Sequence, residues 1–334
     1  MKNTFVRLLI AASLAGSLPL RGDSQTRATT HRSAPAAPSI ALPEGVSAKD
    51  VRFYSEGIQC YGKIFKSKEF DAESKAPAVV LAPDWGETAA SIEKYAAQFA
   101  LRRLVAMVID YRGWGKSGGF LQTEDAVKTD DRLRFSQMTA RVRIRRKRLI
   151  PQQQILDIRN ALYYLQGEPG VDRARVGVWG TGVSGGHVIV IAANDARIKA
   201  AVAQAPIIEG KDTPKKASAP TGALLQAEQK RSRTGQSPIA AAGTSADPET
   251  RLALAEYHPF WHVEQIPRTT AVLFVIAEKD TRVKNNTNAV AASKLLKGST
   301  DVVSIPDANQ RQINGGAAFD AAARAAAEWF LKHL

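Results

Sequence analysis

The chain has 334 residues, 44% of them hydrophobic, with 46 basic residues against 32 acidic and a net charge of +14. This is enough apolar material for the core of one large domain or two smaller ones, so a disordered chain is excluded as the default. A single cysteine, Cys60, excludes an internal disulfide and any cysteine-rich metal site.

Residues 1–20 place Lys2 and Arg7 ahead of the apolar run "LLIAASLAGSLPL". They have the pattern of a secretory signal, too short to span a bilayer, and export is the expectation, with a cytoplasmic leader as the alternative. A linker rich in Ser, Thr, Ala and Pro covers 21–47, and the folded domain is expected over 48–334. No later run has membrane-spanning length. The first element, "VRFYSEGIQCYGKIF" (51–65), is rich in β-branched and aromatic residues around a Gly and predicts a hairpin at a sheet edge.

Short apolar runs then alternate with helical segments. The runs are "AVVLA" at 78, "LVAMVID" at 104, "VGVW" at 176, "AAVAQA" at 200, "AVLFVIA" at 271 and "VVSI" at 302. Runs without polar alternation predict strands buried on both faces, as in a parallel sheet covered by helices. Between them, Ile92, Tyr95 and Phe99 share a helix face, as do Ile155, Ile158, Leu162 and Leu165, and later Phe319, Ala323, Ala326 and Phe330. Strand and helix in alternation predict a doubly wound α/β sheet with its ligand at the carboxyl ends of the strands.

Two stretches depart from this rhythm. "RVRIRRKR" (141–148) holds six basic residues in eight. No aromatic residue interleaves with it and no nucleic-acid-binding signature accompanies it, so nucleic acid is not the expected partner. Residues 208–262 carry many turn formers and few apolar runs, and are expected to form an insertion over the sheet edge, a partly mobile lid.

On three segments the chain resembles the α/β-hydrolase superfamily, in particular its dienelactone-hydrolase-like and serine-aminopeptidase-like esterases. "DYRGWGKSGG" (110–119) resembles the family's D-x-R-G-x-G-x-S loop after the fourth strand; "VGVWGTGVSGGHV" and "IAEKD" (276–280) are the other two markers. The resemblance covers about residues 50–334 and implies a mostly parallel sheet flanked by helices. It also implies a serine nucleophile on a strand-to-helix elbow, a histidine base, an acid that orients it and two backbone N–H donors for the oxyanion.

Each position can be compared with this chain. Aligning "VGVW" with the strand before the elbow puts Gly182 at the tip and Ser184 in the first turn of the next helix. A register with Ser184 at the tip needs the strand to run two residues further, and it stays open at this stage. The loop after the last strand, "PDANQRQINGG" (306–316), holds no histidine, and Gln310 stands nearest the family's position; its amide is no base near neutral pH. Asp280 stands at the acid position. Where relatives carry His-Gly after the third strand, this chain has Pro83 and Asp84; Trp85 and Val183 are expected to keep their N–H groups for an oxyanion, and Asp84 to repel one.

The histidines are placed for structure. His187 follows Ser184 by one helical turn and is read as packed; His333 ends the chain; His258 and His262 flank Pro259 in "YHPFWH" without an acidic ligand motif. No cofactor and no metal is expected.

The resulting expectation is an α/β-hydrolase-like protein without ordinary serine-hydrolase activity, whose pocket binds a small molecule or another protein. One alternative is a working ester or amide hydrolase with Ser184 as nucleophile and His258 or His262 recruited from the insertion. Another is lyase, isomerase or cyclisation chemistry on Asp84 or Asp280. Binding of the basic surface to anionic polymers or membranes is the weakest of the options.

Overall fold

The computed structural model describes residues 41–124, 132, 136–208, 222–235, 248–285 and 288–334. The signal-like segment, the linker as far as residue 40, and 209–221 and 236–247 of the expected lid lie outside the described residues. The first strand opens at Val46, two residues inside the expected linker.

The chain opens with the antiparallel hairpin β1 (Val46–Ser55) and β2 (Ile58–Ser67). Glu56 and Gly57 form its two-residue turn with φ of 48° and 75°, the left-handed geometry that matches strand twist. There follow β3 (Ala76–Ala82), α1 (Ala89–Ala100), β4 (Val105–Ile109), β5 (Phe120–Thr123), β6 (Val142–Arg145), α2 (Pro151–Gln166), β7 (Val171–Thr181), α3 (Val183–Asn194) and β8 (Ile198–Gln204). After these come α4 (Gly222–Thr234), α5 (Pro248–Ala255), β9 (Ala271–Ala277), α6 (Ala289–Ser293), β10 (Thr300–Ile305) and α7 (Gly316–His333).

The large sheet has the order β1-β2-β4-β3-β7-β8-β9-β10. From β4 to β10 every pairing is parallel, and the hairpin adds the antiparallel edge. This is the doubly wound, mostly parallel sheet expected from the sequence. One face packs on α1 and α7, with Ile92, Tyr95, Phe99 and Phe330 in its core; the other packs on α2 and α3, with Ile155, Ile158, Leu162 and Ile191. Each of these side chains contributes about 1.5–3 kcal/mol by leaving water.

After β3 the chain moves outward to β4, and after β7 it moves the other way to β8. The crevice between β3 and β7 is therefore the switch point of the sheet, where a doubly wound fold leaves room for a ligand.

β5 and β6 correct the sequence reading, which had no strands between β4 and α2. They pair as a separate two-stranded sheet. The arginines of 141–148 are largely used within the fold: Arg143 pairs with Glu124, Arg145 and Arg148 each reach Glu249 at 2.8 Å, and Arg146 donates to the carbonyls of Gly115 and Ser117. Among the described residues no helix is long and apolar enough to cross a membrane.

Candidate functional site

The bend between β7 and α3 lies at the carboxyl end of the sheet beside the switch point. β7 runs two residues past "VGVW", to Thr181, yet α3 already begins at Val183, so the bend itself is Gly182. Its φ of 59° and ψ of −121° are conformations that a side chain tolerates poorly. Close approach explains its small neighbours: a Cβ on Gly180 would lie 2.3 Å from the Ser184 carbonyl, and one on Gly185 2.7 Å from Pro206.

Ser184 is thus on α3 and not at the tip, and the register that made it a nucleophile is corrected. It is 1% exposed. Its Oγ donates to the Pro83 carbonyl and accepts from the Tyr111 hydroxyl at 2.6 Å, so its proton is already committed. Of the histidines proposed to activate it, His262 lies elsewhere. His262 contacts Asn194, ten positions further along α3 and so about 15 Å away along its axis. His258 stacks on Trp261 with ring centroids 4.1 Å apart.

His187 is fully buried; its Nδ1 meets the Tyr257 hydroxyl at 2.6 Å and its Nε2 the Gln154 Oε1 at 2.9 Å. Since an amide oxygen only accepts, Nε2 carries the proton and Nδ1 accepts from the tyrosine. Burial pulls the imidazole down to about 3, so it is neutral near pH 7. His333, at the end of α7, packs at a tilt against Trp329 and contacts Ser299 ahead of β10, at the opposite end of the sheet. Cys60 is buried, and burial pushes its thiol up to about 12.

The centre of the bend is occupied by Asp84. β3 pairs with β7 so that Ala82 stands beside Gly180, which places Asp84 and Gly182 opposite one another two residues on. Asp84 Oδ1 accepts the N–H of Trp85 at 2.7 Å and the N–H of Val183 at 2.8 Å. These are the two donors expected to serve an oxyanion. That expectation is corrected, because Asp84's own carboxylate takes both of them. A Cβ on Gly182 would lie 2.0–2.2 Å from the atoms of that carboxylate, so the missing side chain at the tip is what admits it.

Gln310 closes the other side. It is 8% exposed, its Nε2 lies 3.5 Å from Asp84 Oδ2, and its Oε1 is buried without a partner among the described residues. Burial lifts the Asp84 carboxyl above the ordinary range, aided by Glu87; the N–H groups of Val183 and Trp85 and the charge of Arg282 oppose the rise.

Asp280 sits at the end of β9. Its Oδ1 accepts from Arg282 N at 2.8 Å and Val283 N at 3.1 Å, which fixes the turn. Its Oδ2 is buried without a partner among the described residues, and the residue lines a cleft of about 580 Å³ with Val283, Asn285 and Ser304. Among the described residues no group of three or more His, Cys, Asp or Glu is arranged to hold a metal ion.

The sequence reading missed two features. The bond from both expected oxyanion donors to Asp84 was invisible because it depends on a rotamer. The buried Tyr257–His187–Gln154 chain joins residues far apart in sequence, and only the packed reading of His187 hinted at it.

Several known proteins are similar to the chain. The acetyl xylan esterase (AXE1) family model matches residues 43–210. The uncharacterized 31.7 kDa protein in the traX-finO intergenic region of Escherichia coli is 24% identical over 267 residues, covering 72% of this chain and 85% of that protein. The quorum-quenching protein AidA of Acinetobacter baumannii is 28% identical over 162 residues, 48% of this chain and 44% of that protein. Among solved structures, the alpha/beta hydrolase GrgF from Penicillium sp. sh18 superposes with a TM-score of 0.63 at 17% identity, covering 86% of this chain and 99% of that one.

Proposed function

The chain belongs to the acetyl xylan esterase (AXE1) family of the α/β-hydrolase superfamily, and we propose that within it this protein binds a small molecule in the family's cleft without the serine-hydrolase step. One observation carries this reading: Asp84 Oδ1 accepts from both Trp85 N and Val183 N across the side-chain-free Gly182. Acyl transfer through a serine needs an attacking oxygen at the bend and two free donors for the tetrahedral oxyanion. Here the bend has no side chain, and an anion already holds both donors. The position after β10 carries an amide in Gln310 where a base is required.

The family's description, acetyl xylan esterase, supports a small carbonyl-containing ligand as the occupant. The protein is expected to remain unlabelled by a fluorophosphonate probe and to hydrolyse p-nitrophenyl acetate no faster than buffer. Labelling of Ser184, or turnover that disappears in Ser184→Ala, would overturn this reading.

A further inference from the structure

The carboxylate that fills the bend is held in an uneven way. Asp84 Oδ1 is fixed by two backbone N–H groups at 2.7 and 2.8 Å, whereas Oδ2 has, among the described residues, only the long 3.5 Å approach of Gln310 Nε2. One oxygen is therefore an anchor, and the other is a positioned acceptor at the switch point of the sheet. Asp280 is not equivalent, because its Oδ1 serves its own turn. We infer that Asp84 is a catalytic general base at the bend, with Oδ2 removing a proton from a carbon acid, a carbonyl compound with an acidic α C–H.

The geometry selects proton transfer over the other reactions open to a carboxylate. Attack on an ester carbonyl would leave the new oxyanion without donors, since Asp84 itself holds them. Displacement at saturated carbon would leave an ester on Asp84 whose release needs an activated water, and Gln310 cannot activate one. Proton transfer needs neither. The substrate C–H bond breaks, the O–H bond forms on Oδ2, and the electron pair stays on the substrate as an enolate. The same carboxylic acid then returns the proton to a different atom of the substrate, or the electron pair expels a β-substituent, which takes that proton from Asp84 as it leaves. No oxidant, reductant or water is consumed. Gln310 Nε2–H stands beside the base as a donor for the enolate oxygen. The charged groups facing Asp84 are Glu87, from its own loop, and Arg282, from the loop after β9. Burial makes the anchored carboxylate a stronger base than one in water.

Asp84 in this role presupposes the cleft without a serine nucleophile proposed above, and the two can fail separately. The probe is 5-nitrobenzisoxazole, in which removal of the C3 proton breaks the N–O bond and releases coloured 2-cyano-4-nitrophenolate. The intact protein is expected to accelerate this elimination about 100-fold over acetate at equal concentration. The rate should rise with pH through a midpoint above the ordinary aspartate range. In Asp84→Asn it should fall to the acetate level, while the melting temperature is kept, because an amide oxygen still accepts both N–H bonds. Elimination unchanged in Asp84→Asn, or no faster than acetate in the native protein, overturns the role of Asp84. Fluorophosphonate labelling of Ser184 would instead remove the reading of the cleft on which it rests.

Discussion

A methyl group on residue 182 would lie 2.0 Å from Asp84 Oδ1, in a backbone conformation of positive φ. Two costs are therefore combined at one residue, and they can be separated. Gly182→Ala is expected to destabilise the protein by roughly 2 kcal/mol, the sum of backbone strain and overlap. In an Asp84→Gly background only the backbone strain remains, so the coupling between the two substitutions should be about 1 kcal/mol in a urea-unfolding double-mutant cycle. Equal costs in both backgrounds would show that the carboxylate shifts freely and that the two residues are not adapted to each other.

The loop after β4, the most specific sequence marker of the family, fastens secondary-structure elements together and, through Tyr111, holds Ser184 behind the bend. Asp110 accepts Ala89 N, at the start of α1, at 2.7 Å and Lys116 N at 2.6 Å. Arg112 reaches Asp157 of α2 through Nη2 at 2.6 Å and Nε at 2.8 Å, and Ser55 of β1 at 2.7 Å. Both members of that ion pair are 5% exposed or less. Removing one partner strands a buried charge, so Arg112→Ala is expected to lose about 3–5 kcal/mol in urea unfolding. A loss below about 1 kcal/mol would mean that Asp157 finds water or another donor. Such a motif is legible in sequence because each residue has a fixed local task. β5 and β6 were not: their residues are exposed or half-exposed, and four of the eight, including Arg143 and Arg145, are polar or basic; the alternation of Val142 to Arg145 spans only four residues inside a basic run.

At the scale of the whole molecule, the six apolar runs and three helix faces were enough to place the sheet, because a buried parallel strand has little choice of composition. The bend and the loops that surround it were legible as departures from the family at Asp84, Gly182 and Gln310. Their joint arrangement was not, since it brings together three strand ends through side-chain rotamers that no spacing encodes. Viewed together, the three departures form one substituted constellation: an absent side chain admits a carboxylate, the carboxylate takes two donors, and an amide faces its second oxygen. If that is the whole of the change, reversing it should restore acyl-transfer chemistry on an otherwise intact scaffold. Combining Asp84→Gly, Gly182→Ser and Gln310→His frees the Trp85 and Val183 N–H groups, supplies a hydroxyl at the bend and places an imidazole beside it, with Asp280 still at the end of β9. The triple variant is expected to be labelled by fluorophosphonate at position 182. It should hydrolyse p-nitrophenyl acetate about 100-fold faster than the Asp84→Gly, Gly182→Ser double variant, the difference being the general base. A triple variant that keeps its melting temperature yet neither labels nor hydrolyses would show that the loop after β10 no longer delivers residue 310 to the bend, and that this member's divergence extends beyond the three side chains into the backbone that carries them.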